Sequence, residues 1–422
     1  MAENMYSNFD NVIVAISKES TTDGGWADTT GQDNRYPLYM IVDRIKPDRK
    51  ANTKVQKWMG AGRDPNTVWS GAELFEIKLE GALVFDHNFG TTPCLTTGPY
   101  STRGDSGYAN FISLLGAAMG TVSSTGVCVL RDTLDSFTLE WGNDPQMRDQ
   151  ALPPTLNPNE YYNNGTPIYY LAEGCRINTY EATLNKEGSL KVSLSIMAKE
   201  ISTSPTAQTM SGNSLEDLFL PNIRPLDFWD GHPSSTPFQI TFGDGDTYNT
   251  KVGADPEIEE ISFKINNNLE PKHSLGTSKY ISSLNPRGRE ITCSLKVVKR
   301  SEHLQNVYNA AFDSNLEQDF NHAQTHLDSI RMLLYHQDLS NINGGWVPMM
   351  FVQFNNLIPT DYSDNMGELN DDQIVENFTF TAFRTGDSRF LHSGHPSDLE
   401  PIQARIAGTT TFSGFVSNPG YP

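Results

Sequence analysis

Phe75-Glu76-Ile77-Lys78-Leu79-Glu80-Gly81-Ala82-Leu83-Val84-Phe85 sets Phe75, Ile77, Leu79, Gly81, Leu83 and Phe85 against Glu76, Lys78, Glu80, Ala82 and Val84. A strand with one buried face reads this way, because successive side chains of an extended chain point to opposite sides. The same period of two recurs at Phe137, Leu139 and Trp141, at Leu190, Val192, Leu194 and Ile196, and at Ile261, Phe263 and Ile265. It returns at Ile291, Cys293, Leu295 and Val297 and at Phe378, Phe380 and Ala382. A mainly β, mostly antiparallel protein is expected. Asn185-Lys186-Glu187-Gly188 stands between two such runs, and a short connection ending in Gly predicts a hairpin.

Two segments carry helical spacing instead: Ala109, Ile112, Leu115, Ala118 and Met119, and Leu304, Val307, Tyr308, Ala311 and Phe312. Each follows a strand and precedes one, which exposes a repeated order of strand, long loop, strand, helix, strand and strand pair. The first copy runs from Leu38 to Lys199 and the second from Ile261 to Arg384. Local sequence agrees weakly, with Asp43–Pro47 parallel to Asn267–Pro271 and Gly71–Glu73 parallel to Gly288–Glu290. Duplication and a coincidence of element order both remain open. The expected organisation is a first domain at 1–201 with an N-terminal arm, a connector at 202–237, a second domain at 238–385 and a C-terminal arm at 386–422. Leu218, Phe219, Leu220, Phe228 and Trp229 suggest that the connector packs over the sheets.

Composition narrows the function. The 422 residues carry 31 Lys and Arg against 51 Asp and Glu, a formal net charge of −20. Gripping a phosphate backbone requires the opposite balance, whereas letting DNA pass without sticking does not. Cys94, Cys128, Cys175 and Cys293 lie far apart with no CxxC pair, and read as buried or incidental thiols. The apolar stretch from Phe111 to Val122 is too short and too interrupted to span a bilayer, and Met1–Asp10 shows no secretory pattern. A soluble protein made in a cytoplasm is the expectation.

Catalytic motifs fail on inspection. Gly104-Asp105-Ser106-Gly107 spells a serine-protease nucleophile, but Tyr108 and Ala109 follow, and the cluster runs into the first helix as an ordinary N-cap. His322 and His326 have the spacing of two ligands on one helix face, yet Ala323 stands where a zincin needs Glu. Asp244, Asp246 and Asp255 do not fit a calcium loop, and neither nucleotide motif is present. No enzyme, cofactor or metal site is expected. An extracellular carbohydrate-binding or hydrolytic β-protein, with Trp26, Trp58, Trp69 and Trp141 as sugar platforms, is the alternative class.

A family resemblance rests on particular residues. Gly174-Cys175-Arg176-Ile177-Asn178 with the hairpin that follows, Leu190 to Glu200, Ile265-Asn266-Asn267-Asn268-Leu269-Glu270-Pro271 and Pro286 to Leu295 resemble segments of siphophage major tail tube proteins. Gly60-Ala61-Gly62-Arg63-Asp64-Pro65 is similar to their early Gly-rich motif. The likeness covers residues 35 to 385 and departs in the loops Asn88–Ser106 and Trp141–Pro167.

This resemblance implies duplicated tail-tube β-sandwich domains, each with a flanking helix, whose strands join those of neighbouring subunits into a β-barrel around a lumen. Two copies per chain imply a homotrimer with pseudo-sixfold symmetry and on the order of 24 lumen strands, wide enough for duplex DNA. The implied role is a virion tail tube subunit assembled in the host cytoplasm. Its partners are further copies of itself, tape-measure and tail-tip or terminator proteins, and double-stranded DNA in transit, with no membrane. A tail-tip or terminator protein is the alternative within the same tail. Glu76, Glu80, Glu181, Glu259 and Glu376 occupy polar strand positions and are candidates for an acidic lumen wall, outward-facing solvent being the other possibility. Lys46, Arg63, Asp64, Glu270, Lys272 and Arg287 are candidates for loops that bridge stacked rings, and Thr410, Phe412 and Phe415 for docking of the C-terminal arm.

Overall fold

The computed structural model describes residues 12–19, 36–38, 40–56, 67–86, 114–122, 127–143, 168–185, 188–204, 223–225, 238–243, 257–274, 281–298, 327–337, 346–364, 374–383 and 401–406. The first part of the chain supplies β1 (Val12–Lys18), β2 (Tyr36–Pro37), β3 (Met40–Gln56), β4 (Thr67–Asp86), the five-residue helix α1 (Leu115–Met119), β5 (Gly120–Val122), β6 (Val127–Leu130), β7 (Phe137–Asn143), β8 (Ile168–Asn185), β9 (Lys191–Ala198) and β10 (Glu200–Ser204). The rest supplies β11 (Ile223–Pro225), β12 (Phe238–Gly243), β13 (Glu257–Asn266), β14 (Glu270–Lys272), β15 (Ser283–Asn285), β16 (Glu290–Val298), β17 (Leu327–Gln337), β18 (Trp346–Asp364), β19 (Val375–Ala382) and β20 (Ile402–Ile406). Eighteen strands belong to one antiparallel network, with β14 and β15 paired separately. Among the described residues this network does not close into a barrel.

Its connectivity repeats. In the first half β1 pairs with β7, β7 with β8 and β8 with β10, while β3 pairs with β4, β4 with β9 and β9 with β8. In the second half β12 pairs with β17, β17 with β18 and β18 with β20, while β13 pairs with β16, β16 with β19 and β19 with β18. Both sets are antiparallel throughout, and in both a single long strand, β8 or β18, passes from one set of neighbours to the other.

Bulges mark equivalent positions. The β3–β4 register slips between Val42 and Arg44, and the β13–β16 register between Ile258 and Glu260. Likewise β8 slips against β9 between Ile177 and Thr179, and β18 against β19 between Pro359 and Asp361. Counted from the bulges, Phe75, Ile77 and Leu79 correspond to Ile291, Cys293 and Leu295, and Tyr180 to Tyr362. A bulge re-aims every side chain beyond it, so matched bulges require a matched pattern of burial. That pattern is present: Phe75, Ile77 and Leu79 are buried, and so are Ile291, Cys293 and Leu295.

The halves share one apolar core. Tyr180 of β8 stacks on Phe263 of β13 with ring centroids 5.9 Å apart, and Phe263 meets Phe354 of β18 at 5.4 Å. Each fully buried Leu, Ile or Phe in such a core contributes about 1.5–3 kcal/mol. Gly174 adopts φ 63° where β8 leaves β7, and the register there slips between Phe137 and Leu139. This left-handed corner explains why Gly precedes Cys175.

Several expectations change. Of the predicted helix at 109–119, α1 covers Leu115–Met119 and is preceded by Leu114 in a left-handed conformation, while 109–113 lie outside the described residues. The second predicted helix, at 304–312, lies outside the described residues. The Gly188 amide donates to the Asn185 carbonyl at 3.3 Å, as a hairpin requires. The weak local parallels are out of step: Asp43–Pro47 matches Glu259–Phe263 rather than Asn267–Pro271, and the Gly71–Glu73 match is displaced by one residue. The connector contributes β11, which pairs with the end of β4. Within the segment expected to be an arm, residues 402–406 form β20, an internal strand between β18 and β6 with Ile402 and Ala404 buried.

Candidate assembly interface

Between the halves, β8 and β13 form a continuous seam from Thr179↔Asn266 to Asn185↔Glu260. Asn178, the bulged residue of β8, leaves its ladder with β9 and turns to the other half. Its carbonyl accepts the Asn267 amide at 2.8 Å, and its side-chain oxygen accepts the Leu269 amide at 2.8 Å. Asn267 is fully buried. Its Nδ2 donates to the carbonyls of Ala118 (2.9 Å) and Ile177 (3.0 Å), and its Oδ1 accepts from Arg289 Nε at 2.8 Å. Asn268 then takes φ 47°, a conformation Asn tolerates better than most residues, and its Nδ2 reaches the Gly288 carbonyl at 2.6 Å. One buried side chain thus ties α1, β8 and the turn after β13 together. Burying an amide is favourable only when it is satisfied in this way.

Through that seam the strands run in the order β3, β4, β9, β8, β13, β16, β19 and the second half of β18. Both ends are open. Among the described residues β3 pairs only with β4, and residues 358–364 of β18 pair only with β19. Open strand edges are templates for pairing with another chain. Of the large hydrophobic side chains exposed among the described residues, Ile41 and Ile358 lie on these two edge strands. A profile describing phage tail tube proteins matches residues 11–382. The chain belongs to the phage tail tube protein family. Comparison with curated proteins gives no match.

Family membership makes this tube protein a structural component of the virion tail that self-assembles into a stacked tube with other tail components. It points to a non-enzymatic role. Among the described residues no group of three or more His, Cys, Asp or Glu could hold a metal. Cys128, Cys175 and Cys293 are buried and free, and burial pushes the Cys293 thiol up to about 12. Trp141 is buried and stacked on Tyr170 at 5.3 Å, so it offers no face to a sugar.

The acidic candidates separate into two kinds. Glu76, Glu80, Glu181 and Glu259 remain partly exposed, and each has a cation beside it: Lys50 at 3.0 Å, Arg44 at 3.9 Å, Lys264 at 3.7 Å and Lys296 at 3.0 Å respectively. The hydrogen bond from Lys50, helped by one from Ser195, holds the Glu76 carboxyl below its ordinary range. Glu376 differs. It is buried, and its Oε1 accepts the Tyr362 hydroxyl at 3.0 Å, so it does not present an open carboxylate in the single chain. Around the four pairs the same face is rich in short neutral groups: Thr179, Thr183, Ser193, Ser195, Ser262 and Ser294.

Among the inter-ring candidates, Lys46 lies within β3 opposite Lys78 rather than in a loop, because the β3–β4 ladder extends to Gln56↔Thr67. Arg63 and Asp64 fall outside the described residues. Glu270 accepts from Arg287 Nε at 2.8 Å across the base of the β14–β15 hairpin, on which Lys272 also sits. Thr410, Phe412 and Phe415, Gly104–Gly107, His322 and His326 are outside the described residues. Sequence reasoning missed Asn178 and Asn267 as the lock of the seam. The signal was a run of three Asn in a β-rich context, where uncharged amides at a strand end satisfy backbone groups.

Proposed function

We propose that the chain is the major subunit of the tail tube, a duplicated fold whose copies join edge to edge into rings that stack around a lumen for double-stranded DNA. Six half-chains per ring, contributed by a homotrimer, make the ring pseudo-sixfold. The repeated set of strand pairings, joined at β8–β13 and again at β20–β6 and left open among the described residues at the corresponding outer edges, is the observation that carries this reading. Half-chains at 1–201 and 238–385 with the connector at 202–237 are the proposed units, the second completed by β20. Hairpins β3–β4 and β14–β15 extend beyond the shared ladder and are the proposed contacts between rings, with Glu270 and Arg287 at the base of the second and Lys272 at the far end of its ladder.

The polar face of the ribbon is the proposed lumen wall. Its partly exposed carboxylates sit beside cations and among uncharged hydroxyls, with Lys46, Lys78 and Lys191 also on this face, so the proposed wall is mixed in charge rather than a run of cations that would collect phosphate. The net charge of −20 adds long-range repulsion. DNA then passes without specific binding. Tape-measure, tail-tip and terminator proteins are the proposed further partners, met during assembly in the host cytoplasm. Light scattering after size-exclusion chromatography, together with negative-stain images, tests the reading: ring or tube particles with a mass that is a multiple of three chains are expected. A monomer at every concentration rejects it.

A further inference from the structure

We infer that the outer edges of two copies pair β18 to β3 in the register of the internal β8–β13 seam, setting Asp361 opposite Lys50, Tyr362 opposite Arg49 and Ser363 opposite Asp48. The register follows from the bulges. Thr179, Tyr180 and Glu181 hold the places in the first half that Asp361, Tyr362 and Ser363 hold in the second, each group starting directly after the bulge. By the same count from the bulges at the other strand, Lys264, Ile265 and Asn266 correspond to Asp48, Arg49 and Lys50. Inside the chain Thr179 faces Asn266, Tyr180 faces Ile265 and Glu181 faces Lys264. Transferring those three pairs to the outer edges gives the three stated above.

Charge supports the same assignment. The β3 edge exposes Arg44, Lys46, Arg49 and Lys50 against one acid, Asp43, whereas residues 358–364 of β18 expose Asp361 and Asp364. In the register displaced by two residues in one direction Asp361 would face Asp48, where like charges directly opposite one another are destabilising, and in the other direction it would face the uncharged Asn52. On the polar face the Lys50 ammonium bridges Glu76 of β4 at 3.0 Å and Asp48 at 3.7 Å, and a pair with Asp361 would draw it toward the open edge. Tyr362, whose hydroxyl donates within its own chain, would stack its ring against the Arg49 side chain, which lies over Phe75 at 5.7 Å. The occupant of each open edge is therefore a second copy of this chain.

This inference rests on the self-assembly proposed above, and the test separates the two. Chains carrying Lys50→Cys are mixed with chains carrying Asp361→Cys, oxidised, and run without reductant; both positions are exposed, so folding should be retained. A shift from monomer to a covalent dimer is expected for this mixture, and loss of that band when Asp48→Cys replaces Lys50→Cys. A stronger band from the Asp48→Cys mixture overturns the register. As a check that needs no variant, wild-type chains, half of them isotopically labelled, are treated with a carbodiimide. An inter-chain Lys50–Asp361 peptide supports the register. Assembled particles whose Lys50 cross-links only to other inter-chain sites overturn it while leaving self-assembly standing, and absence of any assembled particle rejects the self-assembly itself.

Discussion

The seam between β8 and β13 and the open edges of β3 and β18 occupy equivalent places in the two halves, yet their chemistry differs. At the internal seam Tyr180 faces Ile265, and a fully buried Asn267 closes one end. At the edges the equivalent positions hold Arg49, Lys50, Asp361 and Tyr362. An intramolecular seam has its partner tethered, so beside the partly exposed Glu181–Lys264 pair its strands can carry apolar and locked contacts without risk. An edge that must stay soluble until a partner arrives does better with charge, which discourages wrong pairings and steers the right one. On the proposed reading of a duplicated fold, divergence of the two seams accounts for both.

The largest test of this contrast removes residues 386–422. If the C-terminal segment were an arm acting only between copies, the truncated chain would keep its stability. Because β20 inserts between β18 and β6, deletion should instead strip five ladder pairs from β18 and expose the core around Phe354. A loss on the order of 4 kcal/mol is expected from the buried Ile402 and its ladder. Chemical denaturation with m-value analysis reads it, and an unchanged midpoint would return β20 to the status of an arm.

Next in size is Asn267→Ala. It leaves the Ala118 and Ile177 carbonyls and Arg289 without the partners they now have in Asn267, and each buried group so abandoned costs about 1–3 kcal/mol. A loss on the order of 3 kcal/mol in thermal or denaturant unfolding is expected. Asn268→Ala, at an exposed position, should cost less. Equal costs would mean that Asn267 is no more important than its neighbour.

Which parts of this were legible without coordinates follows from the range of the interactions. Period two placed β4, β7, β9, β13, β16 and β19 because each has one buried face, and that pattern is local. The short strands β5, β10, β14 and β20 were not visible, since three to five residues cannot show a period and their pairing is set by partners far along the chain. The order of elements suggested a duplication, but the residue correspondence drawn from Asp43–Pro47 was out of step. Only bulges, seen in paired strands, fix that count. Site residues fared worst. Glu76 and Glu376 look alike as carboxylates on alternating strands, and only the register sends one to Lys50 and the other beneath Tyr362.

Acid titration should separate two carboxylates of opposite character. Glu76 is held below its ordinary range by its hydrogen bond from Lys50, so its stabilisation is present above the unfolded pKa and is lost as pH falls through the folded one. Glu173 is pushed up by burial, and then by Glu200, which stands directly opposite in β10, and by Glu19. Its stabilisation is present below the unfolded pKa and is lost as pH rises through the folded one. Glu76→Gln should therefore lower the melting temperature at about pH 7, and Glu173→Gln should raise it there, both differences shrinking by about pH 4. Shifts of the same sign would mean that one of the two environments is misassigned.

The smallest expected change in stability comes from Glu181→Gln, at the centre of the internal seam. Its partner Lys264 lies 3.7 Å away, and both side chains are nearly half exposed, so the pair should contribute about 0–1 kcal/mol. Denaturation midpoints of wild type and variant should be almost superimposable, because the seam is held by its ladder, by Tyr180 on Phe263 and by Asn267. The substitution does uncover Lys264, however, and Glu80→Gln in the same chain would uncover Arg44. If the carboxylates serve to mask cations on the wall that DNA passes, tubes of the double variant should retain short duplex DNA at low salt and release it as salt rises. Co-sedimentation at the two salt concentrations measures this directly. Retention by the variant alone would assign these pairs to the passage of DNA rather than to the fold, and equal release by both tubes would place this face on the outside.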